Sequence, residues 1–369
     1  MKLKTYLTRF TRSDHKIILT ALATFAMLIG QSAIAAEFKF GGYVKVDALY
    51  DFDADLGESL NADRVPTDPG TSSDPNFRIH AQETRLNATV THNEMLAFVE
   101  MDFSGGDGTE TVSNSYKPRL RHAYGQVGNL LVGQTWSTFM DAQWIYFPTT
   151  VDFAGAAGAT FVRQAMFRWT LDEGFDVAIE NPESKVRGTD SSDELPDFIA
   201  RYYQGGDIAW QVAGVLQHFS ADDGPADGES EYNLGFSGGV NFKLGDGNNS
   251  ISLQTNLNSN RYTYYGFSNP SAVVDGDQIE LIDHTSFVVA YNHDWGHAKS
   301  TFAYGVVSFD DDFLADDDID TISTIHANYR WQPYEQVDYL AEVSRAMQEL
   351  VNGDDGDNLR LQFSVKYSF

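Results

Sequence analysis

The feature that most constrains this chain is a recurring strand pattern whose polar face is too charged to bury. In Glu37–Phe52, Phe38, Phe40, Val44, Val46, Ala48, Tyr50 and Phe52 share one face. Lys39, Tyr43, Lys45, Asp47 and Asp51 share the other. "YNLGFSGGVNF" sets Tyr232, Leu234, Phe236, Val240 and Phe242 against Asn233, Ser237 and Asn241, and "ISLQTNLNSN" lines up Gln254, Asn256, Asn258 and Asn260. Alternation with period two marks strands. A soluble barrel packs its apolar face inward as a core. Lysine, arginine and asparagine on strand after strand must instead line water, so the apolar face meets lipid.

Sixteen such segments run from Glu37–Phe52 to Asn358–Phe369, among them Phe77–His92, Lys117–Val127, Asn249–Tyr264 and Glu335–Arg345. Their connections sort by length. "TLDEGF", "QGGD", "KLGDGN", "HDWGH" and "WQPYE" are tight turns, and the longest links centre on 53–76, 137–160 and 265–282, with the last on 346–357. An even strand number with alternating short and long links predicts an all-β fold: a sixteen-stranded antiparallel transmembrane β-barrel. Short turns would be periplasmic and long loops extracellular. The final strand, "LRLQFSVKYSF", alternates up to Phe369. It is expected to pair with the first strand and close the ring. Phe369 is the kind of terminal aromatic that barrels present to the outer-membrane assembly machinery.

The front of the chain fits export. "MKLKTYLTRFTRSDHK" is basic, "IILTALATFAMLIG" is apolar, and "QSAIAAEF" offers Ala33 and Ala35 at the small positions of a cleavage site. This reads as a secretory signal over residues 1–36, with the barrel over 37–369. The full chain carries 25 Lys+Arg against 53 Asp+Glu. The signal takes five basic residues and Asp14, leaving 20 against 52, a net of −32. With no basic stripe left, nucleic acid is not an expected partner. Cysteine is absent, so disulfides and thiolate chemistry are too.

Much of the acid lies in long links. "DDDFLADDDID" packs seven aspartates into eleven residues, without the spacing of an EF-hand. It reads as a solvated loop near outer-membrane lipid and lipopolysaccharide, and no metal site or cofactor is assigned. There is no G-x-S-x-G elbow, P-loop lysine or H-E-x-x-H pair, so no catalytic residues are assigned and no enzyme is expected.

The segment "GQTWSTFMDAQWIYFPTTVDFAGAAGATFVRQAMFRW" joins two strands through a long link rich in aromatic and small residues, with Asp141 and Asp152. Such a loop, folded into the barrel, would narrow the channel. Strand parity sends Arg85, Arg119, Arg121, Arg168, Arg201, Arg330 and Arg360 to the lumen, with Arg119 and Arg121 sharing a face with Ala123. Lumenal arginines attract anions and grip carboxylates, or they pair with wall acids and stiffen the barrel.

"FRIHAQETRLN", "GQTWSTFMD" and "TVDFAGAAGATFVRQAMFRW" resemble the DcaP-like trimeric porins of Gram-negative bacteria. The resemblance implies a homotrimer in the outer membrane and passage of small polar or anionic solutes, dicarboxylates especially. It also carries Arg85 in "TRL", Asp152 in "VDF", and Arg163 with Gln164 in "VRQ" as site residues. Some members place a coiled-coil segment before the barrel; here the signal is expected to lead straight into the first strand. The acidic mouth leaves open a cation-leaning or sugar channel, and a plugged, non-conducting barrel is the reading from another class.

Overall fold

The computed structural model describes residues 36–68, 74–106, 109, 113–141, 148–183, 185–245 and 248–369. The export-signal reading over 1–36 therefore lies outside the described residues except for Ala36. The described chain forms twenty strands: β1 (Glu37–Asp51), β2 (Asn76–His80), β3 (Arg85–His92), β4 (Met95–Asp102), β5 (Arg119–Val127), β6 (Leu130–Trp136), β7 (Arg163–Asp172), β8 (Phe175–Glu180), β9 (Val186–Arg187) and β10 (Asp197–Gln204). They continue with β11 (Ile208–Ser220), β12 (Ser230–Leu244), β13 (Asn249–Leu257), β14 (Ala272–Asp275), β15 (Gln278–Leu281), β16 (His284–Asp294), β17 (Ala298–Phe309), β18 (Ile319–Tyr334), β19 (Val337–Leu350) and β20 (Asp355–Ser368).

Seventeen of these share one antiparallel sheet, in which β2 and β3 are the halves of a single wall strand. The wall thus has sixteen staves. It closes where β1 meets β20, from Tyr43 opposite Ser368 to Asp51 opposite Arg360, and the Phe369 amide donates to the Gly42 carbonyl at 3.1 Å. Closure leaves no edge, as a spanning sheet requires. The outward positions are apolar and exposed, Phe40 reaching 81%. The remaining strands β9, β14 and β15 form a small sheet on the loop side.

Four local departures from the expected pattern have physical causes. The second wall strand breaks at 81–84, where the Lys45 amide donates to Thr84 Oγ1 at 3.2 Å in place of a ladder bond. The break turns Gln82 and Glu83 inward, and Lys45 Nζ holds Glu83 at 2.7 Å. In β5 the register against β4 shifts between Glu100 and Met101, so Arg121 and His122 both point inward and Ala123, opposite Val99, points out. This bulge corrects the shared face expected for Arg119, Arg121 and Ala123. β13 stops at Leu257 rather than Tyr264, because Asn258 and Asn260 adopt left-handed φ of 47° and 43° and swing the chain inward. The last long link is a turn of 351–354, since β19 and β20 run on past the positions where alternation weakens.

The described parts of the loop after β6, 137–141 and 148–162, fold into the lumen as expected, and two others join them. Leu56, Leu60, Ala62 and Val65 of the first loop are buried with Ala154 and Ala157, Tyr265, and the inward Val307, Ile322 and Ala346. Each buried leucine contributes about 1.5–3 kcal/mol, enough to hold the loop inside the mouth. Gly356 and Gly305 make this packing possible: a Cβ on either would strike the carbonyl of Pro66 or Ala157. The loop 258–283 pairs with the end of 137–162 through Gly158 N to Tyr264 O at 3.0 Å and Tyr264 N to Ala159 O at 2.8 Å. Burial pushes the Tyr264 and Tyr265 hydroxyls up, so both stay protonated. Tyr265 accepts from the Ala62 amide and donates to the Leu60 carbonyl, joining loops 203 and 205 residues apart.

Candidate functional site

The inner loop is stapled to one arc of the wall by side chains from six staves. Glu342 accepts from the Val151 amide at 2.7 Å and the Asp152 amide at 3.2 Å. Asn328 Nδ2 donates to the Thr149 carbonyl, and Lys45 Nζ to that of Val151 at 3.1 Å. Asp152 accepts from the Leu60 amide at 3.0 Å and from Arg360 Nη1 at 3.1 Å. Further along, Thr324 Oγ1 accepts from the Ala157 amide, while Ser286 and Asn256 donate to the Gly158 carbonyl. Asp141 is buried at the start of the loop.

Four of the seven arginines read as lumenal by strand parity are spent on carboxylates around the wall. Arg360 is fully buried and grips Asp51 with two bonds of 2.7 Å, besides Asp152 and the Gly57 carbonyl. Arg201 holds Asp176 at 2.5 Å and donates to the Met140 carbonyl. Arg121, 1% exposed, bridges Glu100 at 2.9 Å and Asp102 at 2.8 Å; Arg119 grips Asp102 at 3.0 and 2.7 Å. These four are wall braces. Among the described residues Arg168 makes no ion pair; it donates to the Thr138 hydroxyl at 2.8 Å and to the Trp136 carbonyl, holding the base of the loop.

The other three are held loosely. Arg85 lies 3.6 Å from Glu100 and 5.3 Å over the Tyr43 ring. Arg163 sits 4.6 Å over the Trp136 ring, with its Nη1 buried and without a hydrogen bond. Arg330 likewise makes no ion pair among the described residues, and its Nε is buried without a partner. Desolvated guanidinium groups left this way are costly unless something else meets them.

One brace, Arg121, and two of the loosely held arginines, Arg85 and Arg330, border one open space. A cavity of about 460 Å³ is lined by Lys45, Arg85, Arg121, Arg330 and Lys366 against Glu83 and Asp152. A second, of about 620 Å³, runs toward the short-turn end and shares Thr149, Arg330, Leu340 and Lys366 with the first. Arg330 and Lys366 therefore stand where the passage leaves the inner loop. Lys45 and Lys366 also line the passage and were not among the expected site residues, whose cations were arginines alone; each has an acid within reach, Glu83 at 2.7 Å and Asp338 at 2.9 Å. Both are nonetheless inward positions of alternating strands, a signal available in the sequence.

Among the described residues, the one carboxylate group close enough to hold a cation is Asp310, Asp311 and Asp312. All three are exposed, which is common in acidic loops without an ion.

Residues 24–369 match the family described as DcaP outer membrane protein. The crystal structure of the outer membrane channel DcaP of Acinetobacter baumannii superimposes with a TM-score of 0.80 at 23% identity, covering 92% of this chain and 99% of that one. The trimer form of OmpT from Vibrio cholerae gives 0.56 at 12% identity over 91% of this chain and 100% of that one. An anion-selective porin from Comamonas acidovorans gives 0.54 at 11%, over 90% and 100%. No curated protein matches the chain. A closed sixteen-stave barrel, a lumen narrowed by an inner loop, and a family match over nearly its whole length lead to one identification: this chain belongs to the DcaP outer membrane protein family and is a non-enzymatic porin of the Gram-negative outer membrane.

Proposed function

We propose that the protein is a homotrimeric diffusion channel favouring small anionic solutes, carboxylates and dicarboxylates in particular. The observation that carries this reading is the lining of the narrow cavity, five cations against two carboxylates. The acidic loops oppose it from outside, but there salt screens charge within about 8 Å. Inside the confined passage each solute runs close to the wall, and the local excess of cations sets the selectivity. Arg330 and Arg163 serve as the anion contacts, because neither makes an ion pair among the described residues. Reversal potentials across a KCl gradient test this. A value on the anion side, moving toward cations in Arg330→Ser and Arg163→Ser, supports the reading; a cation-selective wild type overturns it.

The trimer reading rests on the outer wall. The outward residues of β3 to β6, such as Ala88, Val90, Ala97, Val99, Ala123, Gly125 and Val132, include no Phe, Tyr or Trp. Elsewhere the outward wall carries exposed rings such as Phe40, Phe167, Trp169, Phe198, Tyr202, Phe302 and Phe363. Aromatic girdles mark wall that faces lipid, so the ring-free sector is assigned to subunit contact. Ala97→Trp should convert trimers to monomers on unheated gels, while Ala200→Trp on the lipid side should not. Trimers surviving Ala97→Trp would place the contact elsewhere.

Two further proposals concern biogenesis. Cleavage of the 1–36 signal would leave a chain beginning at Glu37, which mass spectrometry of the purified protein checks. Phe369 closes the barrel against Gly42 and would also be the residue read by the assembly machinery, so its deletion should cut folded yield while leaving synthesis intact.

A further inference from the structure

The outer face of β17 to β20 carries a groove with a charged group at its upper end. Ala327 lies between Phe302 and Val343 in one outward row, and Ala341 between Tyr329 and Phe363 in the next. The two alanines are low points among rings, and the apolar groove they floor measures about 580 Å³. On β20 the outward residues stay apolar from Tyr367 up to Leu359. On a tilted strand that run is roughly 20–25 Å tall, the height of a lipid-facing band. One pleat above Val343, about 7 Å along β19, Arg345 takes the next outward position, opposite Leu359 and Ile325. Its Nε donates to Asp357 at 2.9 Å, with both side chains half exposed. Its terminal nitrogens make no hydrogen bond among the described residues. Glu349 and Asp355 face each other across the next positions. This group therefore stands at the loop-side edge of the band, level with the headgroups of the outer leaflet. A guanidinium bordering lipid is costly unless an anion meets it.

We infer that this face is a binding site for the lipid A part of lipopolysaccharide, with an acyl chain in the groove and a phosphate on Arg345. The planar fork of a guanidinium matches a phosphate through two parallel bonds. The neighbouring acids would repel a bare phosphate. A phosphomonoester brings divalent counter-ions with it, however, and magnesium is held by one or two carboxylates together with phosphate oxygens. Asp357, with Glu349 or Asp355, supplies those carboxylates beside the arginine. The chain and the head thus find partners at the spacing of one pleat. The site lies on the lipid side of the wall, apart from the lumen and from the ring-free sector. It stands or falls independently of the anion-channel and trimer readings.

The experiment titrates the delipidated barrel in detergent with diphosphoryl lipid A and magnesium, and counts bound lipid by native mass spectrometry. Arg345→Gln removes the charge and should weaken binding roughly tenfold. Ala341→Phe fills the groove and should weaken it severalfold, as should removal of magnesium by EDTA. Phosphatidylglycerol, a diester with two chains and one charge, should compete poorly. Neither variant touches the lumen, so a wild-type chloride current shows that each barrel has folded. Lipid A binding that is unchanged in Arg345→Gln, or undiminished in EDTA, overturns the inference. Full binding by Ala341→Phe also overturns it, because the chain would then lie elsewhere. Phosphatidylglycerol bound as tightly as lipid A overturns it too, since the face would then take any anionic lipid.

Discussion

Arg360 and Arg330 line the same lumen on nearby staves, yet they stand in opposite circumstances. Arg360 meets two carboxylates and a carbonyl and is sealed from solvent; Arg330 meets none among the described residues and borders both cavities. The difference follows from the inner and first loops. Where Asp152 and Gly57 lie over the wall, an arginine becomes a strut. Where the loops stop short, the same residue type remains a charge facing the passage. Selectivity and mechanical integrity are thus divided around the ring, and a lumenal arginine cannot be given a role from its strand position alone.

The sharpest way to break this contrast is Arg360→Ser. It would strand Asp51 and Asp152 in a buried setting, with a cost of about 3–5 kcal/mol. The barrel should lose its folded gel mobility at a clearly lower temperature than wild type. If the melting of Arg330→Ser drops as far, the division between strut and free charge is wrong.

Next in size is Glu342→Gln. One carboxylate oxygen that accepts from the Val151 or Asp152 amide becomes an amide donor facing a donor, a mismatch of about 1–3 kcal/mol. Because the loss falls on the staple, the inner loop should loosen while the wall survives. Single-channel records should show a higher or noisier conductance with little change in thermal stability. A quiet, wild-type conductance would mean that the loop is held by its remaining contacts.

The smallest effect is expected of Arg330→Ser. Removing a charge about 6 Å from the path in water-like surroundings alters the chloride-to-potassium permeability ratio roughly threefold. Folding should be unaffected, since no ion pair breaks. At 1 M salt, with a screening length of about 3 Å, the shift should persist in part because the passage is confined. A shift that vanishes completely there would assign Arg330 to the outer field rather than to the contact wall.

The architecture was legible in the sequence because it rests on local rules. Alternation, turn residues and the sorting of link lengths fix strand number, facing and closure without reference to distant partners, and the lipid and water on either side of the wall select for them directly. The inner loop was also visible, through its aromatic and small residues. What the sequence could not settle depends on contacts across the ring. Arg360 finds Asp51 309 residues away and Asp152 208 away, and no periodicity links such positions. The inward turn of the first loop onto Tyr265, the bulge that points Arg121 and His122 the same way, and the break that brings Glu83 to Lys45 each depend on residues of other strands or loops. Short-range patterning therefore determined the barrel, while tertiary structure decided which of its charges remain free to act, because pairing energy belongs to proximity in space and not to order along the chain.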